Sequence, residues 1–183
     1  MNDALLDAHD LKALIRTVPD FPAKGIQFRD ITTLIAHGRG LARSVDLLAQ
    51  KADAAGADMI AGMEARGFIF GAAVAVRLGI GFLPVRKPGK LPIETIGIDY
   101  ALEYGSDRLE IDPGAVRADA KVVIVDDLIA TGGTALAAAQ LVRSAGGRVE
   151  NALFVIDLPD LGGATRLREA GVAVEALMEF DGD

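Results

Sequence analysis

The chain has 183 residues, of which 51% are hydrophobic and 25% are charged, and it contains neither Cys nor Trp. This length fits one domain with a self-sufficient core, and the lack of Cys excludes thiol chemistry and Cys-ligated metal sites. Acidic residues outnumber basic ones by 26 to 19, which gives a net charge of −7. Such a chain is a poor partner for nucleic acid or an anionic membrane, so a bound phosphate needs a local cluster of donors and cations.

The amino-terminal sequence has neither a basic region nor an apolar run of signal-peptide length. The most apolar window, 57–76, carries Glu64 and Arg66 near its middle, where a membrane would penalise charges most. We therefore expect a cytoplasmic protein without a transmembrane segment.

Apolar periodicity predicts alternating helices and strands along the chain. In chain order these are a helix at 5–15, a helix at 41–55, a strand at 57–62, a helix at 68–78, a strand at 80–85, a strand at 121–125, a helix at 134–144, a strand at 148–156, a short helix ending near 171 and a strand at 172–177. The pattern indicates an α/β fold with a mainly parallel sheet covered by helices on both faces, in which ligands bind at the carboxyl ends of the strands.

Two segments interrupt this alternation. Residues 19–33 are rich in turn residues, and residues 86–119 are broken up by Pro and Gly. The second segment is too long for an ordinary connection, so we predict a flexible active-site lid or hairpin there. Nothing in the sequence indicates a second domain, and we expect 1–183 to form a single one.

The strongest functional signal is the run VVIVDDLIATGGT at 122–134. It predicts a buried strand that carries Asp126 and Asp127 to the edge of the sheet, followed by a turn of small residues into a helix. The free N–H groups of that turn and the positive end of the helix dipole suit a phosphate. Because carboxylates repel phosphate, the two acids must face hydroxyl groups or Mg²⁺ on the same ligand. The run therefore predicts a ribose 5-phosphate site.

Simpler interpretations of this run fit less well. A plain N-capped turn explains the Gly and Thr residues but not the acidic pair after an apolar strand. Phospho-acceptor receiver domains carry such acids on their first strand, whereas about 120 residues precede them here. A P-loop around Lys90 would need Gly and a hydroxyl residue where Pro84 and Leu91 stand.

The run resembles the phosphoribosyl-diphosphate-binding motif of the type I phosphoribosyltransferases. Four further segments narrow the resemblance to the family of adenine phosphoribosyltransferases: PDFPAKGIQFRDIT at 19–32, GMEARGF at 62–68, RKPGKLP at 86–92 and YALEYG at 100–105. The similarity extends over nearly the whole chain from Leu11. It implies the type I phosphoribosyltransferase fold, the conversion of adenine and 5-phospho-α-D-ribose 1-diphosphate to AMP and diphosphate in purine salvage, a requirement for Mg²⁺, and a homodimer.

The resemblance also assigns the phosphoribosyl and diphosphate sites. Asp126 and Asp127 would hold the ribose hydroxyls and orient Mg²⁺ indirectly, since the metal is held mainly by the substrate. The residues expected to bind the 5-phosphate are Ala130, Thr131, Gly132, Gly133 and Thr134. Those expected at the diphosphate are Glu64, Ala65, Arg66, Arg86, Lys87 and Lys90, with a cis peptide bond between Glu64 and Ala65.

The last three of these residues can also be interpreted without the resemblance. Arg86, Lys87 and Lys90 lie within five residues of one another in an acidic chain, at the mouth of the predicted lid. A solvated charged turn is the alternative, but a diphosphate leaving group requires such cations as charge builds on its oxygens. With Arg66 they form the electropositive cluster that the composition requires.

The base site is expected in two places. The segment 17–33 would form a base-binding hood, with Phe28 stacking on adenine and the backbone groups of Gln27 and Arg29 facing its amino edge, while Leu128 covers the other face. Glu103 and Arg66 are the two residues expected to be catalytic. In the lid, Glu103 would act on the ring proton as an acid or base, and Tyr104 would close over the site. Core packing remains an alternative for Phe28 and Leu128, and a surface carboxylate for Glu103.

Two rival functions remain open from the sequence. One is the same fold acting on xanthine, hypoxanthine or orotate, against which the segments around Phe28 and Glu103 argue. The other is a non-enzymatic regulator that senses the sugar diphosphate and binds nucleic acid. The net charge of −7 and the lack of an appended basic domain argue against that regulator.

Overall fold

The structure is a computed structural model, and it describes residues 6–101 and 106–182. The helices are α1 Ala8–Ala13, α2 Thr32–Ala36, α3 Gly38–Ala54, α4 Arg66–Leu78, α5 Gly133–Ser144 and α6 Gly163–Glu169. The strands are β1 Arg16–Pro19, β2 Gln27–Asp30, β3 Met59–Met63, β4 Gly81–Val85, β5 Ile96–Ala101, β6 Ser106–Ile111, β7 Lys121–Ile129, β8 Arg148–Asp157 and β9 Ala173–Glu179.

Five strands form the central sheet in the order β4-β3-β7-β8-β9, and every neighbouring pair is parallel. Apolar residues of α1, α3 and α4 pack on one face, around Ile60, Val123 and Leu153. Residues of α5, α6 and β6 pack on the other, around Ile124 and Phe154. The predicted α/β fold with a helix-covered parallel sheet is confirmed, and β7, flanked on both sides, is the central strand.

The turn-rich segment contains a small antiparallel hairpin that the sequence analysis did not predict. Strand β1 pairs with β2 so that Thr17 lies opposite Arg29 and Val18 opposite Phe28. Each strand has only four residues, without the alternation that marks a longer amphipathic strand. All of the hairpin except Arg16, the first residue of β1, lies within the segment predicted as the hood, 17–33, and we call that segment the hood below.

The segment 86–119 folds as a hairpin of β5 and β6, as the prediction allowed. Its return strand is not mobile surface, because Leu109 and Ile111 are buried in the core cluster that α5 covers. Only the parts of the segment outside this buried strand can therefore serve as a lid. The tip of the hairpin, 102–105, lies outside the described residues. Within the part of the chain that is described, no helix combines the length and apolarity needed to cross a lipid bilayer.

Candidate active site

A cavity of about 300 Å³ opens at the carboxyl ends of the central strands. This is the edge at which parallel α/β sheets bind their ligands. Three parts of the chain line it, namely Met63–Arg66 after β3, Lys87 after β4, and the continuous stretch Asp126–Ala135 from β7 into α5. The structure thus brings the predicted phosphoribosyl segment and part of the predicted diphosphate segment into one site.

The floor of the cavity is the turn between β7 and α5. Gly132 caps α5 with a left-handed backbone, φ +76°, which favours glycine, and its added Cβ would lie 2.8 Å from the carbonyl oxygen of Gly163. The first N–H groups of α5 have no partner within the helix, and the helix dipole adds partial positive charge there. The turn can therefore hold a phosphate dianion.

This turn rests on the start of α6, a support that the sequence analysis missed. The N–H of Gly163 donates to the carbonyl oxygen of Ala130 at 3.0 Å. A Cβ at Gly163 would lie 2.2 Å from the same oxygen, so no other residue fits without moving the turn. The Gly162-Gly163 pair in the sequence was the only available signal.

The acidic pair belongs to the last part of β7 itself, which runs to Ile129 and is longer than predicted. The Asp126 carboxylate accepts the N–H of Asp127 at 2.9 Å, and a Cβ on Gly67 would lie 2.5 Å from the Asp126 Oδ1 atom. Burial, together with repulsion from Asp127, raises the pKa of Asp126 well above 3.8. Burial thus disfavours the ionised form of Asp126, which a cation or the hydroxyl donors of a ligand would stabilise.

Arg66 is the residue that partly balances this charge. Its Nε atom donates to the Asp127 carboxylate, while 56% of its side chain stays exposed. Burial acts to lower the pKa of Arg66, but the hydrogen bond to Asp127 and the charges of Asp127, Asp126 and Asp30 raise it overall. The guanidinium thus stays charged at the wall of the cavity, with donors left for an anion.

The peptide bond between Glu64 and Ala65 is cis, as the resemblance implied. The Glu64 carboxylate accepts the Nε–H of Arg86 at 2.9 Å and the backbone N–H of Lys87 at 3.0 Å. These two hydrogen bonds lower the pKa of Glu64, and the charges of Arg86 and Lys90 add to the effect. Glu64 therefore holds the cationic segment against the cavity wall and remains ionised.

Lys87 lines the cavity and joins it to the β5–β6 hairpin. Its ammonium group donates to the Asp107 carboxylate and to the Tyr100 hydroxyl, the latter at 3.4 Å. That hydroxyl donates to Asp107 at 3.2 Å and accepts from the Thr134 hydroxyl at 3.3 Å. Burial acts to lower the pKa of Lys87, but Asp107 and Tyr100 raise it, and the same contact lowers the pKa of Asp107. The hairpin is thereby tied to the phosphate turn.

Tyr100 and Asp107 were not predicted as site residues. They face each other across β5 and β6, a pairing that follows from the register of the hairpin and is not visible in the linear sequence. Tyr100 stands in a segment that carried the resemblance, and this was the only signal for it.

The remaining predicted residues are distributed as follows. Leu128 lines the cavity, whereas Arg86 lies behind Glu64 and Lys90 is exposed outside the lining. The hood residues Gln27, Phe28 and Arg29 do not line the cavity either, although the charge of Asp30 at the end of β2 acts on Arg66 and so places that end nearby. Glu103 and Tyr104 lie outside the described residues.

Phe28 packs within the hood. Its ring meets the ring of Phe21 edge-to-face with centroids 5.1 Å apart, and Phe21 is 51% exposed. Neither of the two apolar clusters formed by the described residues contains Phe28. This observation weighs against core packing as the role of Phe28, whereas Leu128 does pack against the cluster of α1, α3 and α4.

Comparison with known proteins decides the family. The model of the phosphoribosyl transferase domain matches residues 30–170. An adenine phosphoribosyltransferase of Erythrobacter litoralis is 73% identical over 177 residues, which cover 97% of this chain and 99% of that protein. The chain belongs to the adenine phosphoribosyltransferase family. The predicted resemblance is thereby confirmed.

Solved structures agree with this membership of the adenine phosphoribosyltransferase family. An adenine phosphoribosyltransferase from Thermoanaerobacter pseudethanolicus has a TM-score of 0.89 at 48% identity, with 94% of this chain and 99% of that chain covered. One from Saccharomyces cerevisiae, complexed with an imino-altritol bisphosphate and adenine, has a TM-score of 0.88 at 39% identity, with 93% and 98% covered. The type I phosphoribosyltransferase fold is therefore confirmed as well.

Proposed function

We propose that this protein is an enzyme of purine salvage that transfers the phosphoribosyl group of 5-phospho-α-D-ribose 1-diphosphate to adenine, forming AMP and diphosphate. One observation carries the proposal: a helix start suited to phosphate, the adjacent carboxylates of Asp126 and Asp127, and the cations of Arg66 and Lys87 share a single cavity in a chain of the adenine phosphoribosyltransferase family. The reaction breaks the bond from C1 of the ribose to the diphosphate and forms a bond from C1 to a ring nitrogen of adenine.

The ribose 5-phosphate end of the substrate is assigned to the turn into α5. The backbone N–H groups from Thr131 to Thr134 and the two Thr hydroxyls would bind the phosphate. Asp126 and Asp127 would accept the ribose hydroxyls, because ionised carboxylates are acceptors only. Holding both ends of the sugar in this way fixes C1 relative to the base and lowers the entropic part of the barrier.

The diphosphate is assigned to the opposite wall. The Ala65 backbone, the guanidinium of Arg66 and the ammonium of Lys87 would stabilise the charge that builds on the leaving oxygens. Arg86 and the exposed Lys90 would add to the positive potential from behind Glu64. Because Lys87 pairs with Asp107 in the structure, this lysine must exchange that contact, at least in part, for the diphosphate.

Magnesium fits the donor set of the cavity. Among the described residues, no three His, Cys, Asp or Glu side chains form a group that could hold a metal ion. Two adjacent carboxylates, whose charge Arg66 balances only in part, nevertheless provide the hard oxygen environment that Mg²⁺ prefers. Mg²⁺ in such sites keeps water and substrate oxygens as its other ligands. Bound Mg²⁺ would neutralise diphosphate charge, while Asp126 and Asp127 would orient it through water or through the ribose hydroxyls.

The base is assigned to the hood. Phe28 would stack on adenine, the backbone of Gln27 and Arg29 would face its amino edge, and Leu128 would cover the opposite face from the cavity wall. Glu103 would accept the ring proton that adenine loses as the new bond forms, and Tyr104 would exclude water as the lid closes. The roles of these two lid residues rest on the resemblance alone.

The proposal is tested by measuring AMP formation from adenine and phosphoribosyl diphosphate, with Mg²⁺ and after its removal by a chelator. We expect turnover only with Mg²⁺. A Glu103→Gln variant should lose most of its turnover, on the order of 100-fold, while its affinity for phosphoribosyl diphosphate changes little. Absence of AMP under all conditions would contradict the proposal, and unaltered turnover of the variant would remove Glu103 from the mechanism.

We also propose that two copies of the chain associate. Ile69 and Val76 lie seven residues apart on α4, hence on one helix face, and they are 41% and 82% exposed. Exposed apolar side chains grouped in this way favour an interface. Light scattering should give the mass of a dimer, and a Val76→Glu variant should shift it toward the monomer. A monomeric wild type would contradict this part of the proposal. The cytoplasmic location stays a prediction.

A further inference from the structure

The side chain of Arg29 connects the hood to the residues that follow β9, the last strand of the sheet. Through Nη1 it donates to the Thr17 hydroxyl at 2.7 Å, across the β1–β2 hairpin. Through Nη2 it donates to the carbonyl oxygen of Asp181 at 2.8 Å. The guanidinium carbon lies 4.8 Å from the centroid of the Phe180 ring. Arg29 therefore joins the hood to a carbonyl group that lies 152 positions further along the chain.

The segment after β9 that Arg29 contacts, residues 180–182, is itself held in place. Phe180 is only 8% exposed, its N–H donates to the carbonyl oxygen of Asp157 at 3.0 Å, and the ammonium of Lys12 lies 4.6 Å from its ring centroid. The N–H of Gly182 donates to the Asp160 carboxylate at 2.8 Å. We call Lys12, Arg29, Phe180 and Asp181 the carboxyl-terminal clamp.

The hood depends on such side-chain contacts. Strands β1 and β2 pair extensively with each other, but among the described elements neither makes an extensive contact with any other helix or strand. The Nε atom of Arg29 is buried without a hydrogen-bond partner, so protein encloses the guanidinium on the side where it joins the alkyl chain. A planar guanidinium can reach the Thr17 hydroxyl, the carbonyl and the ring at once, which the single ammonium of lysine cannot do.

We propose that Arg29 is a positioning residue, which acts through the carboxyl-terminal clamp to hold the hood at the distance from the cavity that adenine requires. The side chain does not touch the base. It fixes β2, on which the neighbouring Phe28 stands. This inference rests on the proposed assignment of adenine to the hood, and it adds a role for the last residues of the chain.

Steady-state kinetics with each substrate varied in turn test the inference. We expect Arg29→Met and Phe180→Leu each to raise the KM for adenine about fivefold, while the KM for phosphoribosyl diphosphate changes by less than about twofold. Arg29→Lys should behave like Arg29→Met, because lysine keeps the positive charge but lacks the planar guanidinium with its two donating Nη atoms. The double variant should be no worse than the worse single variant, because both changes open the same clamp.

Arg77→Met is the matched control. Arg77 is an exposed arginine whose Nε donates to Asp46 at 2.9 Å, away from both the hood and the cavity, and its loss should leave both KM values unchanged. Equal rises of both KM values in Arg29→Met, or an unchanged KM for adenine, would overturn the inference. Phe28→Ala separates it from the proposed function. If that variant raises the KM for adenine and Arg29→Met does not, only the clamp is wrong; if neither does, the hood is not the base site.

Discussion

The two halves of the proposed substrate site are built in different ways. The phosphate side comprises 126–134 and the start of α6 that supports it. It continues directly from the central strand β7, which is packed from both faces of the sheet. The hood contains a hairpin of two four-residue strands, and the Arg29 side chain ties it to the residues that follow β9. We infer that the phosphate side is preorganised by the packing of the sheet, whereas the position of the base side depends on a few side-chain contacts. Variants of the two sides should therefore affect different substrates.

The largest effect is expected from Gly163→Ala. The added methyl group would meet the carbonyl oxygen of Ala130 at 2.2 Å and displace the phosphate turn. We expect kcat/KM for phosphoribosyl diphosphate to fall about 100-fold, and a loss of about 2 kcal/mol in the free energy of unfolding. Initial rates and chemical denaturation measure both. Gly38→Ala, where an added Cβ meets nothing within 4 Å, is the control and should retain wild-type kinetics.

Asp127→Asn should have the next largest effect. It removes the charged partner of Arg66 and replaces one of the two carboxylate oxygens proposed to accept from the ribose hydroxyls with an amide NH₂ group. We expect about a 30-fold loss of kcat/KM for phosphoribosyl diphosphate, most of it in turnover, because the freed guanidinium no longer has a fixed orientation. Kinetics at saturating adenine measure this loss. If the KM for adenine rises instead, the division into a phosphate side and a base side is wrong.

Asp126 allows a test of stability against pH. Burial and repulsion from Asp127 raise the pKa of Asp126 above 3.8 in the folded protein. The folded state therefore binds the proton more tightly than the unfolded state, and the contribution of this group to stability falls as the pH rises from 3.8 through the raised pKa. Asp126→Asn removes the ionised form, and the Asn side-chain oxygen can still accept the N–H of Asp127.

We expect the Asp126→Asn protein to be more stable than the wild type at pH 7, by on the order of 1 kcal/mol, although it loses activity. The difference should vanish when the pH is below 3.8. Thermal unfolding without ligand, measured across this range, checks the prediction. A variant that is less stable than the wild type at neutral pH would mean that the carboxylate charge is fully compensated in the folded protein.

The smallest effect is expected from Arg16→Met at the first residue of β1, next to the hood. Arg16 donates through Nε to the Asp30 carboxylate at 3.1 Å, but its side chain is 61% exposed. Hydrogen bonds from Thr32 and Arg16 lower the pKa of Asp30 to about 2. The pair therefore stabilises the protein above pH 3.8, and this contribution is lost as the pH falls toward 2.

Because the pair is on the surface, its loss should cost about 0.5 kcal/mol at pH 7 and should change the KM for adenine by less than about twofold. Unfolding and kinetics of Arg16→Met beside Arg29→Met check this difference. A larger effect from Arg16 than from Arg29 would show that the ion pair, and not the carboxyl-terminal clamp, holds the hood.

The phosphate side was predictable from sequence because its chemistry lies in one continuous stretch. An apolar strand, Asp126, Asp127 and the turn to Thr134 follow each other directly, and every residue from Asp126 to Thr134 lines the cavity. The alternation of apolar runs likewise predicted the covered parallel sheet. What the pattern could not show was that β7 extends through the acidic pair to Ile129.

The contacts that hold the site together were not predictable in the same way. Gly163 supports the turn from 33 residues beyond Ala130, Tyr100 meets Asp107 only through the hairpin register, and Arg29 meets Asp181 from the other end of the chain. Each of these pairs is joined by tertiary packing, and no local periodicity records it. Sequence patterns therefore predicted most of the groups that line the cavity, but not the groups that support them.

The most direct test of the central claim is a comparison of four bases as substrates. Initial rates with phosphoribosyl diphosphate and Mg²⁺ should be measured for adenine, hypoxanthine, xanthine and orotate, for the wild type and for Phe28→Ala. We predict that adenine exceeds the other bases by at least about 100-fold in kcat/KM and that the variant loses activity mainly through its KM for adenine. Comparable rates with another base, or a Phe28→Ala enzyme with an unchanged KM for adenine, would contradict the account.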